Sequence, residues 1–515
     1  MTPDLERPPR VGLKMLLRGG LAALLIVLVT ATAVAVAVIR EVEDITAPIR
    51  QPGRASIEIP ELDRADAGGA RTFMILGSDK RQGVDRDSPP RSDTILLVRA
   101  DPDKDSLSVL SIPRDLKVEI PGKGSDKINA AYEYGGGRKG GARLVARTVK
   151  KLFRDATGEN FPITNVMEMD YGAFRRAVNY IGGVYVDVDR DYFNDNSSGE
   201  NYATIDVDPG YQLLRGKDAL DYVRYRHTDN DFVRAARQHD FMRQAQNAAG
   251  VRRLLSLGES RQLVRVFSRY FRTDTSLRST KEIFSLLRLA IYLADREPKI
   301  NEVRFRAREA ANPQVDSNLS VTTGALRVMF REFMSTEGSA TPRRSSKPTS
   351  EDRRFERVRR KRKREPSEVP GLENIRSEGE TMAVLADPKL DFPFYFPDVR
   401  VTGSAYAGTE PRLYTIRDEK GKRHDAYRLV LRAPGIGEYY GVQGLTWRTP
   451  PILDNPDRTI ERNGRQLQLY YDGSKLRLVA WKTKRGVYWV SNTLTQKLGE
   501  AQMLEIASTL RRLNQ

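Results

Sequence analysis

Thr72-Phe73-Met74-Ile75-Leu76-Gly77 is a short apolar run closed by a glycine, and Thr94-Ile95-Leu96-Leu97-Val98-Arg99 repeats that character further along the chain. A third run, Leu107-Ser108-Val109-Leu110-Ser111-Ile112, alternates at period two. Apolar or alternating runs of this length between polar turns read as strands. Working outward, helical spacing appears at Ala142–Phe153, Tyr171–Ile181 and Val233–Ala249, with another strand at Gly183–Val188 after a glycine pair. Further helical stretches at 260–270 and 280–294, and a strand near Val303, carry the pattern to residue 335. Strands interleaved with helices predict an α/β layered domain over residues 70–335.

Upstream, no charged residue occurs from Gly19 to Ile39, and Leu, Val, Ala and Ile dominate. As a helix this run is about 30 Å long, enough to cross the hydrocarbon core of a bilayer. Arg7, Arg10, Lys14 and Arg18 precede it, while Arg40, Glu41, Glu43 and Asp44 follow. Positive charge on the N-terminal side places residues 1–18 in the cytoplasm and everything after residue 39 outside it. The competing reading is a cleaved signal peptide, whose apolar core is usually shorter. Residues 40–69, charged and dotted with Pro and Gly, read as a juxtamembrane spacer.

Downstream, residues 336–370 form a basic linker. Between Arg343 and Arg364 twelve Lys/Arg face only Glu351, Asp352 and Glu356, a net +9 that is half of the chain's +18. Single-sign runs of this kind are solvated, so the basic balance does not describe a nucleic-acid face. Residues 371–515 read as a small α+β domain: strands at Tyr427–Leu431, Gln466–Tyr471, Leu476–Trp481 and Gly486–Val490, then a helix at Ala501–Leu513. Asp472-Gly473 is a hairpin signal. Trp447, Trp481, Tyr488 and Trp489 are core aromatics on this reading, with sugar stacking as the alternative.

Composition excludes several chemistries. With no cysteine, disulfides, thiolate nucleophiles and Cys-ligated zinc are ruled out. His227, His239 and His424 are the only histidines, so any metal would be held by carboxylates, which favours Mg²⁺ or Mn²⁺.

Four places could carry chemistry. Asp79, in Gly77-Ser78-Asp79-Lys80-Arg81, and Asp93, in Arg91-Ser92-Asp93-Thr94, both lie at strand ends. Paired carboxylates suit a hard cation that takes phosphate oxygens, although both also fit plain turn caps. Ser111-Ile112-Pro113-Arg114-Asp115 throws Arg114 onto a loop at the sheet rim, because proline ends the ladder; a surface Arg114–Asp115 pair is the plainer reading. The densest place is Tyr222-Val223-Arg224-Tyr225-Arg226-His227, followed by Asp231-Phe232-Val233-Arg234 and Arg237-Gln238. Read as extended, Arg224 and Arg226 share a face. Arg234, Arg237 and Gln238 share a helix face, with Asp231 as the cap. Guanidiniums gathered in this way suit a multiply anionic ligand such as phosphate. Gly135-Gly136-Gly137-Arg138-Lys139-Gly140 matches a nucleotide fingerprint only formally, since what precedes it reads as helix; it is a turn.

In this order the motifs resemble the LytR–CpsA–Psr family of bacterial cell-wall enzymes. The match runs through Gly77–Arg81, Ser92–Ile95, Ser111–Asp115, Asp126–Asn129, Gly182–Val184, Gly216–Leu220, Val223–Arg226, and Asp231–Arg234 with Arg237-Gln238. The resemblance implies a three-layer α/β/α extracytoplasmic domain that holds a polyprenyl-pyrophosphate-linked glycopolymer. Such an enzyme moves the polymer with one phosphate onto peptidoglycan. It further implies Asp79 and Asp93 as Mg²⁺ ligands, with Arg91, Arg114, Arg224, Arg226, Arg234 and Gln238 on the pyrophosphate. Arg81, Lys127 and Arg237 would be auxiliary contacts. Arg114 and Asp231 are the implied catalytic residues, Asp231 orienting a guanidinium or acting as base. Val233 departs from the family, which usually carries glycine there. The alternatives are a lipid pyrophosphatase using water as acceptor, and a non-enzymatic wall-polymer-binding or regulatory membrane protein. The expected partners are the lipid-linked glycopolymer, peptidoglycan and the membrane.

Overall fold

The computed structural model describes residues 57–66, 69–78, 91–104, 106–197, 203–225, 229, 231–246, 248, 271–275, 300–309, 318–335 and 369–513. The predicted span 19–39, the helical stretches at 260–270 and 280–294, and linker residues 336–368 lie outside them. Among the described residues no helix is long and apolar enough to cross a membrane.

The three founding runs are strands β1 (Arg71–Ser78), β2 (Ser92–Asp101) and β3 (Ser106–Ile112). With β4 (Asn165–Asp170), β5 (Phe271–Thr273) and β6 (Ile300–Val303) they form a six-stranded mixed sheet, ordered β5-β4-β1-β2-β3-β6. Neighbours β1–β2 and β2–β3 are antiparallel, whereas β1–β4 and β3–β6 are parallel. Period two sends Met74, Leu76, Ile95, Leu97, Leu110, Ile112 and Val166 into one core. Two helices close that face. In α1 (Gly141–Thr157) the buried Ala142, Val145, Ala146, Val149 and Phe153 recur at helical spacing. In α5 (Thr323–Met334) Leu326, Met329, Phe330 and Phe333 do the same. The glycine run before α1 is a turn, with Gly136 and Gly137 at φ +83° and +58°.

Between these lie α2 (Tyr171–Tyr180), α3 (Gly216–Arg224) and α4 (Asp231–Gln246). A hairpin of Val184–Val188 with Gly210–Leu214 packs beside them. The mixed α/β architecture agrees with the sequence reading. Arg224 corrects it: Tyr222-Val223-Arg224 closes a helix and is not extended. Alternation of Arg with Tyr and Val imitates a strand, but the preceding Ala219, Leu220 and Val223 bury a helical face.

Residues 369–513 build an antiparallel eight-stranded sheet flanked by helices Arg376–Ala386 and Glu500–Thr509. Its strands Arg465–Asp472 and Lys475–Lys482 meet at Asp472-Gly473, where Gly473 has φ +57°. Trp447, Trp481, Tyr488 and Trp489 are all buried, consistent with core packing. This unit shares apolar surface with the earlier hairpin: Tyr185 and Tyr211 pack among Ile416, Leu445, Trp447 and Trp489.

Candidate active site

Strand register places the first group. Ile95 pairs with Ile112, so Asp93, two residues before one, stands opposite Arg114, two residues after the other. Arg114 Nη1 donates to Asp93 Oδ1 at 2.7 Å. Pro113 ends the ladder, and Arg114 also lies 3.4 Å from Asp115. The small hairpin Lys117–Ile120/Gly124–Lys127 then returns the chain. Lys127 thereby arrives at Asp115, Nζ to Oδ1 at 2.8 Å. Burial acts to raise the Asp115 carboxyl, but the Lys127 hydrogen bond and the charges of Arg114, Lys127 and Arg234 hold it below its usual value. Two acids and two cations therefore meet at the rim where β1 ends, β2 begins and β3 ends, and the charge of Arg234 is felt at Asp115.

The second group is built by α3 and α4. A helix C-terminus leaves carbonyls without intrahelical donors. Here α4 supplies them: Arg237 donates to Tyr222 O and Tyr225 O, each at 3.0 Å, and Gln238 Nε2 donates to Val223 O at 3.1 Å. Arg237 is 0% exposed and is also paired with Asp229 at 2.5 Å. This corrects its reading as a phosphate contact: its guanidinium is spent on fixing the end of α3. Gln238's amide nitrogen is likewise committed to that end. Arg224, at the last turn of α3, is held by Asp221 at 2.5 Å and lies over the Tyr171 ring at 5.6 Å. Arg234 is buried on the same helix as Arg237.

Arg91 reaches Glu133 at 2.7 Å with half of its side chain exposed. Asp79, Arg81 and Arg226 lie outside the described residues, as does the Asp231 side chain; Asp231 is the first residue of α4 rather than its cap.

Residues 34–327 match the sequence profile of the LytR_cpsA_psr family. The chain belongs to the LytR_cpsA_psr family. It is 34% identical over 183 residues to the polyisoprenyl-teichoic acid–peptidoglycan teichoic acid transferase TagU of Oceanobacillus iheyensis, covering 35% of this chain and 52% of that protein. It is 32% identical over 172 residues to the corresponding transferase TagT of Bacillus subtilis, covering 33% and 50%. The chain thus spans about half the length of these relatives. A solved structure of TagT bound to LIIa-WTA overlays 55% of this chain and 100% of that one, at 24% identity and TM-score 0.40.

Of the two carboxylates expected to hold a hard cation in this LytR_cpsA_psr chain, Asp93 is among the described residues and Asp79 is not. Asp93 is partly exposed, and among the described residues only Arg114 claims it, through one oxygen. Ser78 pairs with Ser92, so Asp79 follows in the chain directly after the strand end that adjoins Asp93. A different acidic group, Asp191, Asp206 and Asp208, lies on the surface, and Asp208 is already paired with Arg412 at 2.7 Å.

Sequence reading missed the buried partners. Asp229 is 0% exposed at its side chain and takes both Arg237 and Arg190. Arg190 lies over the Tyr192 and Tyr225 rings at 4.6 and 5.3 Å. The available signal was Asp189-Arg190-Asp191, a charged cluster directly after the strand Val184–Val188.

Proposed function

We propose that this chain transfers a glycopolymer, together with one phosphate, from a polyprenyl-pyrophosphate carrier to a peptidoglycan sugar hydroxyl. The observation that carries the reading is the rim cluster: Arg114 and Lys127 beside Asp93 and Asp115, with the charge of Arg234 acting on Asp115. Phosphoryl transfer needs positioning and neutralisation of spread negative charge more than covalent help. The names of the relatives, teichoic acid transferases to peptidoglycan, support the same substrate class.

On this reading Arg114, Lys127 and Arg234 hold the oxygens of the pyrophosphate, and Arg91, Arg224, Arg226 and Gln238 complete its surroundings. The acceptor hydroxyl oxygen forms a bond to the phosphorus that bears the polymer. The bond from that phosphorus to the bridging oxygen breaks, and polyprenyl phosphate leaves with the electron pair. The hydroxyl proton passes to a base, for which Asp231 is the candidate. Asp93 and Asp79 would hold Mg²⁺ or Mn²⁺, which neutralises pyrophosphate charge when bound.

The membrane anchor at 19–39, an extracytoplasmic three-layer α/β/α domain and a distinct C-terminal α+β domain belong to the same proposal. An anchored enzyme meets a lipid-borne substrate at raised effective concentration. The test is full-length protein in detergent with labelled polyprenyl-pyrophosphate saccharide and peptidoglycan fragments, with Mg²⁺ or with chelator. Label should move to peptidoglycan only with metal, and Asp93→Ala should abolish it. Transfer indifferent to both chelator and Asp93→Ala would overturn the metal assignment.

A further inference from the structure

The strand Tyr439–Leu445 of the C-terminal unit is preceded by a turn, Pro434-Gly435-Ile436-Gly437-Glu438, in which Gly435 and Gly437 have φ +122° and +69°. That turn lies against the arginine-bearing segment. A methyl group at Gly437 would fall 2.9 Å from both Val233 methyls and 3.0 Å from Asp229 Oδ1. Tyr439 covers Arg190, ring centroid to guanidinium carbon 5.0 Å, on the same cation that pairs with Asp229. Asp229 in turn holds Arg237, and Arg237 holds the end of α3. Farther along α4, Arg243 reaches Asp472 of the C-terminal unit at 2.7 Å and Glu302 after β6 begins at 3.1 Å. Asp187, on the hairpin between α2 and α3, takes Arg428 and Trp489, each at 3.0 Å.

We propose that the C-terminal unit is a positioning element of the site. Its Gly437 and Tyr439 fix the Arg190–Asp229–Arg237 assembly, and through it the ends of α3 and α4 that carry Arg224 and Arg234. Val233, where the resemblance calls for glycine, fits this arrangement: the residue is 1% exposed and its methyls supply the apolar surface that Gly437 meets. Buried arginines paired with one carboxylate and stacked on tyrosines hold their place firmly, because leaving a charge unpaired there is costly. Only the consequence for turnover rests on the transferase reading; the contact itself does not.

The experiment uses the full-length protein with Tyr439→Ala, Tyr439→Phe and Gly437→Val. Hydrogen exchange is followed at the amides of 222–238 and, as reference, of 94–112, alongside kcat and KM for lipid-linked substrate. Tyr439→Ala and Gly437→Val should each speed exchange in 229–238 and leave 94–112 unchanged. Because small misplacement of binding groups costs rate steeply, kcat should fall about tenfold or more in both. Tyr439→Phe keeps the ring over Arg190 and should match wild type in both measurements. Exchange and kcat unchanged in Tyr439→Ala would overturn the proposal, as would a loss in Tyr439→Phe equal to that in Tyr439→Ala. Exchange accelerated equally at 94–112 would reduce the contact to general stability and overturn it too. If wild type transfers nothing, the transferase reading fails alone, and the exchange measurement still decides the positioning claim.

Discussion

Arg114 Nη1 donates to Asp93 Oδ1 at 2.7 Å, joining the exit of β3 to the entry of β2. The pair is partly exposed on both sides, 18% and 24% at the side chains, so its contribution to stability is small, about 0–1 kcal/mol. Its place at the rim gives it value for binding. Arg114→Ala should therefore lower transfer by about 10²–10³-fold while moving the urea midpoint little. Arg114→Lys should recover only part of the loss, because an ammonium cannot reproduce a bidentate fork. Label transfer and urea unfolding of the same preparations check both statements.

The Asp115 carboxyl is held below 3.8 by Lys127, Arg114 and Arg234 against the effect of burial. A depressed carboxylate contributes stability that is fully present above its unfolded value and is lost as pH falls through the folded one. Wild type should lose stability as pH drops below about 4, and Asp115→Asn should lose less over that window. Thermal unfolding between neutral pH and pH 3 measures the difference. Equal slopes would show that Asp115 is not ionically paired.

Asp189 has the opposite sign. Burial pushes its carboxyl up to about 6, against the nearby charges of Arg190 and Arg237 and the 2.6 Å hydrogen bond from Tyr192. A raised carboxyl contributes stability fully present below its unfolded value of 3.8 and lost as pH rises through about 6. Wild type should consequently gain stability on acidification from pH 7 to pH 5, on the order of 1–2 kcal/mol. Asp189→Asn should flatten that gain. Unfolding by urea at the two pH values gives the answer.

Arg428 is 1% exposed and ties the eight-stranded sheet to the Val184–Val188/Gly210–Leu214 hairpin through Asp187. Removing one partner of a buried pair leaves the other charge uncompensated, at about 3–5 kcal/mol. Arg428→Met should destabilise by that order, and adding Asp187→Asn should restore part of it. Strict additivity of the two substitutions in urea would deny the coupling.

Much of the framework was readable because it rests on local rules. Met74 and Leu76, Leu110 and Ile112, and Val145 with Val149 announce their elements by period alone. Asp93 and Arg114 were readable as site candidates because strand ends and a proline mark them. What escaped was long-range and buried. Arg237 has the same spacing as a phosphate contact, and only the carbonyls of Tyr222 and Tyr225, from the preceding helix, reveal that it is committed. Asp229 gives no periodic signal, since its role depends on Arg190, thirty-nine residues away. Arg224 misled because alternating Arg and Tyr look extended until the helix preceding them is counted.

The most direct measurement follows the phosphorus. A polyprenyl-pyrophosphate saccharide labelled at the sugar-proximal phosphate is given to full-length protein with peptidoglycan fragments, and the products are separated. The account predicts label joined to peptidoglycan, with unlabelled polyprenyl phosphate released in equal amount and both lost in Arg114→Ala. Labelled saccharide phosphate appearing in water whether or not peptidoglycan is present would contradict it and make the protein a lipid pyrophosphatase. Tight binding without either product would leave the arginines as a polymer-holding surface.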